Sequence, residues 1–282
     1  MRVVITGAGG NLGGKLIAHL QSAQWCSAIV GIDPKPLPDS GKVRAVGADL
    51  RDPHDRRWID PVQQADAVVH FAAQNPAPDS NWVEATQSID MTMNLLQWSG
   101  QTPCRFVFAS SNHVMGGYKD APLPPGQQLT GDTPPRPGTR YFDGYDYRTP
   151  TAYGASKLMG ERAVAARCAA SLLTGVNVRI GWVQAGENRP QTIDLRGAGQ
   201  RIGPTLPDQE EIERGMTWFR GMWLSNRDFV QLMEKAITTP ADQWPSRAIV
   251  VNGMSHNTGT VWNLDEGRRL LGYAPVDDIS VG

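Results

Sequence analysis

Residues 1–16 read MRVVITGAGGNLGGKL, an apolar β-branched run that passes through a cluster of glycines into Leu12, Leu16, Ile17 and Leu20 at helical spacing. The pattern predicts a strand turning directly into a helix. Gly7, Gly10 and Gly13 punctuate the turn as G-x-x-G-x-x-G, while Gly7 and Gly9 also leave G-x-G open. Either spacing lets a backbone approach a pyrophosphate closely and sets the anion at the positive end of the helix. Glycine clusters also make plain turns, but here the strand before and the helix after supply the context that the motif requires.

Further along, residues 28–33, 66–73, 105–111, 177–182 and 248–253 read as short buried strands, and 82–99, 151–173 and 227–238 carry apolar residues at helical spacing. Alternation of this kind implies an α/β fold, a doubly wound parallel sheet covered on both faces. We expect a nucleotide-binding core over 1–180, with 181–282 completing the fold and forming a small C-terminal substrate region. Ligands in such sheets sit beyond the carboxyl ends of the strands, where the chemically distinctive residues of this chain fall. Two stretches, 119–150 and 184–215, break the rhythm with Pro, Gly and charge, and loops of that length are usually functional or disordered.

Composition narrows the class of partner. The chain has 282 residues, 27 basic and 28 acidic, for a formal net charge of −1, so no polybasic surface points to nucleic acid or an anionic membrane. Cys26, Cys104 and Cys168 are far apart and form no C-x-x-C, which fits a reducing, cytoplasmic setting. No basic-then-apolar leader precedes the first strand, and no apolar run has the length of a membrane span. His19, His54 and His256 lack metal-ligand spacing, so metal catalysis is not expected. A small-molecule partner is, and assembly into a homo-oligomer stays open.

Asp33, at the end of the second strand, lies about 20 residues beyond the glycine turn, where a carboxylate can accept both adenosine ribose hydroxyls and repel a 2′-phosphate. This favours NAD over NADP, although Asp33 can instead cap the turn over 34–38. Asp49 and Leu50, after the next strand-like run, can bracket the adenine. Tyr153 and Lys157 stand four apart on a predicted helix and share a face. An ammonium within about 4 Å of a phenol is worth roughly 4 kcal/mol, enough to lower the tyrosine's pKa by about three units and make Tyr153 a general base. Ser111, at a strand end, can orient the same substrate oxygen.

With TGAGGNLG (6–13), Asp33, HFAA (70–73), FASS (108–111) and YGASK (153–157), the chain resembles the extended short-chain dehydrogenases/reductases and their NAD-dependent epimerase/dehydratase branch. The resemblance implies a Rossmann-like core with Gly7, Gly10, Asn11, Leu12, Gly13, Asp33, Asp49, Leu50, Phe71, Ala72 and Ala73 around NAD. It implies Tyr153 as base, Lys157 on the nicotinamide ribose and Ser111 assisting. SSNHVMGGY (110–118), together with Asn177 to Gly181, Trp223-Leu224-Ser225, Asp228-Phe229 and 257–272, is similar to the NAD-dependent uronate dehydrogenases, which oxidise the anomeric carbon of hexuronates to lactones. By that resemblance Asn112 and His113 hydrogen-bond a sugar or sugar acid.

The departures from that family bear on the substrate. Trp182 stands where the family has a small hydroxyl residue that helps hold the carboxylate, Asn75 replaces a serine, and Ser88 replaces an asparagine. The stretches 119–150 and 184–215 read as insertions on the substrate side. Arg214 and Arg220 are the candidates for the carboxylate-binding arginine. The aromatic cluster of Met216, Trp218, Phe219, Met222 and Trp223 reads as core, with an edge that can floor the pocket. Two other readings stay in view: a nucleotide-sugar epimerase or dehydratase that retains its NAD, and a non-catalytic NAD-responsive binding protein.

Overall fold

The computed structural model describes residues 1–35, 37–77, 79–143, 145–193 and 207–281. Nine strands and seven α-helices follow in chain order among these residues: β1 (Arg2–Thr6), α1 (Asn11–Leu20), β2 (Ala28–Asp33), β3 (Val43–Gly47), α2 (Arg56–Gln63), β4 (Ala67–His70), α3 (Trp82–Trp98), β5 (Cys104–Ser111), β6 (Tyr141–Phe142), β7 (Tyr147–Arg148), α4 (Ala152–Ala169), β8 (Leu173–Ile180), α5 (Gln209–Gly221), α6 (Asn226–Thr238), β9 (Ala248–Gly253) and α7 (Asp265–Leu271). A seven-stranded sheet runs β3-β2-β1-β4-β5-β8-β9, every pair parallel. From β1 the chain winds outward to β3, then returns to build β4 and β5 on the other side. The crevice between β1 and β4 is therefore the topological switch point where doubly wound sheets take ligands. This is the Rossmann-like fold expected from the sequence.

The period-2 alternation of the strands divides the core into two layers. Val3, Ile5, Val107 and Ala109 pack with Leu16, Leu20, Phe229, Leu232 and Leu271 on the face covered by α1, α6 and α7. Val4, Phe106 and Phe108 pack with Trp58, Leu95 and Val164 on the face covered by α2, α3 and α4. A third cluster, built from Val114, Met115, Trp182, Trp218, Phe219, Met222, Trp223 and Trp262, lies under the C-terminal region. The tract 181–282 supplies most of that cluster and also strand β9 of the main sheet.

Three expectations need correction. The helix expected over 151–173 ends at Ala169, and Leu173 already pairs with Cys104 as the first residue of β8. The strand expected at 177–182 thus starts earlier and stops at Ile180, because Trp182 leaves the sheet to bridge Trp223. The stretch 184–215 is not irregular to its end. Asp208 caps α5 by accepting the Glu211 N–H at 2.8 Å, and Ile212, Gly215, Trp218 and Phe219 follow at helical spacing. The 194–206 part of that stretch lies outside the described residues. Within 119–150 the chain forms the short β6-β7 hairpin.

A buried ion pair fastens α4 to the sheet. Glu161 Oε1 accepts from Arg179 Nε at 2.9 Å and from the Ser110 hydroxyl at 2.6 Å, and Glu161 Oε2 accepts from Arg179 Nη2 at 3.0 Å. Both ionic side chains are almost fully buried, so removing one partner strands the other's charge away from water. Glu161→Ala is expected to lower unfolding free energy by roughly 3–5 kcal/mol in urea titration. The double replacement of Glu161 and Arg179 by methionine should cost much less, and equal losses in the two variants would contradict the assignment.

Candidate active site

The glycine turn is built by contact as well as by conformation. Gly7 has φ +68, and a Cβ there would stand 2.8 Å from the Ala72 nitrogen; one on Gly13 would stand 2.4 Å from the Gly7 carbonyl oxygen. These two glycines bring β1, α1 and the segment after β4 together. Gly9 and Gly10 remain exposed. Gly10 is the N-cap of α1 and offers no side-chain acceptor to the helix's first N–H groups, which leaves the positive end of α1 open towards an anion.

That helix end borders a cavity of about 700 Å³ that runs past Asp33, Asp49, Leu50, Phe71, Ala72 and Ala73 to Ser111, Asn112, His113, Tyr153, Lys157 and Trp182. Gly7, Gly10, Asn11, Leu12 and Gly13 line it too. Asp33 is largely buried; its Oδ2 accepts the Gly9 N–H at 3.0 Å and its Oδ1 the Lys35 N–H at 2.8 Å. The carboxylate therefore anchors the glycine turn and caps its own turn while it borders the cavity. Asp49 is engaged by Arg51 through Nε at 3.0 Å, and that hydrogen bond holds its carboxyl below the usual carboxylate range.

The segment 71–76 owes its position to a buried polar relay that ends at His70. The Ala72 N–H donates to Thr6 Oγ1 at 3.3 Å, and Thr6 Oγ1 lies 2.8 Å from His70 Nδ1. His70 Nε2 lies 3.0 Å from Thr92 Oγ1, whose hydroxyl donates to the Ser88 carbonyl at 3.0 Å. These directions assign the proton of a neutral imidazole to Nε2. Ser88 closes the circuit by accepting the Gln74 N–H at 2.9 Å. Burial, aided by the charge of Lys157, lowers the His70 pKa to about 3.

At the other end of the cavity α4 presents Tyr153 and Lys157 beside the end of β5. Burial pushes the Tyr153 phenol up to about 12, partly offset by the Ser111 hydroxyl beside it. Lys157 Nζ donates to the Ala109 carbonyl at 2.7 Å and sits 5.8 Å from the Tyr153 ring centre. Burial also lowers Lys157 to about 8. Ser111 accepts the His113 N–H at 3.2 Å, and the His113 ring meets Tyr153 edge-on at 5.6 Å. Thr139 Oγ1 lies 2.8 Å from His113 Nδ1, a contact that the sequence did not reveal. Burial lowers His113 to about 4.

Three expected substrate contacts are not brought to the cavity. Asn75 spends its amide on Glu84 at 3.1 Å, reinforcing the capping box of α3. Arg214 is held by Glu210 at 3.0 Å and also pairs with Glu211 and Asp120. Arg220 donates to the Ile279 carbonyl at 3.0 Å. Both arginines sit on α5, whose charged face closes on Lys119, Asp120 and Arg140 rather than on the cavity. Of the aromatic cluster, Met222 lines the cavity, while Trp218, Phe219 and Trp223 are core.

Residues 3–251 match the model of the NAD-dependent epimerase/dehydratase family. The chain belongs to that family. It is 29% identical to the L-arabinose 1-dehydrogenase (NAD(P)(+)) of Haloferax volcanii, over 98% of this chain and 97% of that one. It is 30% identical to the NAD-dependent glucose-6-phosphate dehydrogenase of the same organism, over 98% and 93%. Among solved structures, uronate dehydrogenase from Agrobacterium tumefaciens superposes with a TM-score of 0.68 at 26% identity, covering 99% of this chain and 85% of that one.

Among the described residues no helix is long and apolar enough to cross a membrane, and no cluster of side chains could hold a metal ion.

The neutral, buried histidines give the chain an acid limit. Their folded pKa values lie below the ordinary 6.5, so between pH 6.5 and about 3 the unfolded chain binds protons that the folded chain refuses. This contribution to stability is intact above 6.5 and falls as the pH drops through that window. Urea denaturation across pH 4–7 should show a shallower decline for His70→Asn than for the parent chain, and an unchanged slope would contradict the role given to His70.

Proposed function

We propose that this chain is an NAD-dependent dehydrogenase that oxidises a cyclic sugar or sugar acid at its anomeric carbon to a lactone. The observation that carries the reading is a single cavity with an uncapped helix start and Asp33 at one end, and Tyr153, Ser111 and Lys157 at the other. The residues present fit the dinucleotide. The exposed Gly9 and Gly10 leave room for a pyrophosphate at the start of α1, and Asp33 offers carboxylate oxygens where an adenosine ribose would lie. NAD, when bound, supplies the acceptor for a hydride.

The chain's own groups manage the proton and the oxygen. Tyr153 takes the proton of the anomeric hydroxyl as the C–H bond of the same carbon breaks and the carbonyl of the lactone forms. Ser111 holds that oxygen by hydrogen bonding, and His113, kept neutral by burial, borders the same space. Because burial disfavours the free phenolate, the ammonium of Lys157, charged below about pH 8, is the nearby group that supports negative charge on Tyr153. The Haloferax relatives, which align along nearly the whole chain, carry dehydrogenase names, and this favours net oxidation over an internally recycling epimerase. A cytoplasmic setting is part of the same proposal, supported by three free, buried cysteines.

Tyr153→Phe keeps the ring's packing against His113 and removes the acid-base group. Turnover with the best aldose should fall by about 10²–10⁴, followed as NADH accumulation, while NAD affinity measured by calorimetry stays close to that of the parent. Near-full turnover in the variant would overturn the mechanism.

A further inference from the structure

His113 lines the cavity with one ring nitrogen already engaged. The residue is only partly buried, and its Nδ1 lies 2.8 Å from the hydroxyl of Thr139, which is itself almost fully buried. The two nitrogens of an imidazole face well-separated directions, so a buried partner on Nδ1 leaves Nε2 as the nitrogen for a ligand.

Thr139 is carried to that place by backbone pairing between two segments distant in sequence. The Gly138 N–H donates to the His113 carbonyl at 3.0 Å, the Arg136 N–H to the Val114 carbonyl at 3.0 Å, and the Gly117 N–H to the Arg136 carbonyl at 2.9 Å. The junction is tight enough that a Cβ on Gly116 would collide with Thr139 Oγ1, and one on Gly154 would stand 2.5 Å from the His113 carbonyl oxygen. On its other sides His113 is held by its N–H on Ser111 Oγ at 3.2 Å and by the edge-on contact with the Tyr153 ring at 5.6 Å. Part of the irregular stretch 119–150 is therefore a support built behind a residue that lines the cavity.

The hydrogen bond also has a direction. Burial keeps the ring neutral, with a pKa of about 4, so one nitrogen carries the proton and the other accepts. A buried hydroxyl proton left unspent costs more than an empty lone pair on the same oxygen. Of the described groups, His113 Nδ1 is the one placed to take the Thr139 proton. Donation from Thr139 to Nδ1 puts the imidazole proton on Nε2.

We infer that Thr139 is a positioning residue for the proposed reaction: its hydroxyl fixes His113 in the Nε2–H tautomer, so that the ring donates a hydrogen bond from Nε2 to an oxygen of the bound sugar beside Tyr153. This rests on the dehydrogenase reading above and adds to it the means by which the sugar is oriented.

The test starts from the intact chain carrying isotope-labelled histidine at its five positions. Two-bond proton–nitrogen NMR correlations read the tautomer, with His113 assigned by the loss of its signals in His113→Gln. The proton is expected on Nε2, and an Nδ1–H form in the parent chain overturns the inference whatever the variants do. Thr139→Val keeps the volume and removes the hydroxyl; it should populate both tautomers and lower kcat/KM for the best sugar roughly three- to tenfold, followed as NADH formation. Its Kd for NAD, measured by calorimetry, should match that of the parent and report an intact fold. Thr139→Ser restores the donor and should return the tautomer, and kcat/KM to within about twofold of the parent. A Thr139→Val variant with the tautomer and kcat/KM of the parent, or a Thr139→Ser variant as impaired as Thr139→Val, overturns the inference and leaves the dehydrogenase reading standing. Absence of NADH with every aldose and uronate overturns that reading instead.

Discussion

The bidentate pair between Glu161 and Arg179 is the constraint on which the site's geometry depends. It joins the middle of α4 to β8, and through the Ser110 hydroxyl it reaches β5 as well. Tyr153, Lys157 and Glu161 recur every four residues along α4 and therefore share its sheet-facing side. Locking Glu161 in register fixes how far Tyr153 and Lys157 stand from the end of β5, where Ser111 and the Ala109 carbonyl await them. A buried charge pair of this kind contributes little net stability over an apolar substitute, but breaking one half of it is expensive. Its value here is positional.

The opposite end of the cavity rests on neutral hydrogen bonds. The relay from Ala72 through Thr6, His70 and Thr92 to Ser88 fixes the segment after β4 without any net charge in the core. Every member is satisfied, which is the condition under which a buried polar network strengthens a fold. Between the charged fastening under α4 and the neutral one under β4 lies the cavity, with the open start of α1 facing it. Walls fixed by hydrogen bonds on both sides hold a small reacting group in place.

Much of this was legible in the sequence. Strands β2 and β9 begin and end where the β-branched runs do, because continuous apolar runs bounded by turns leave little choice of register. The glycine turn, Asp33 and the tyrosine-lysine spacing located both ends of the cavity. Glu161 lies four residues beyond Lys157 on the same helix, but its partner Arg179 sits on a strand distant in sequence, and pairwise contact is not written in spacing. Lys157 illustrates the same limit: its helical position was clear, whereas its head group's destination depended on a carbonyl of β5. Arg214 and Arg220 stand near a family motif in sequence, but helix α5 turns their charge towards Glu210, Glu211, Asp120 and Ile279. Thr139, beside His113, comes from a loop with no periodicity to read.

The central claim is net oxidation at the anomeric carbon, and the fate of a single hydrogen tests it most directly. With an aldose deuterated at C1 as substrate, mass spectrometry of the cofactor and the sugar should find the label on NADH and an unlabelled lactone or its hydrolysed acid. Label retained on a sugar of unchanged oxidation state, with no NADH accumulated, would contradict the account and return the chain to the internally recycling chemistry of an epimerase.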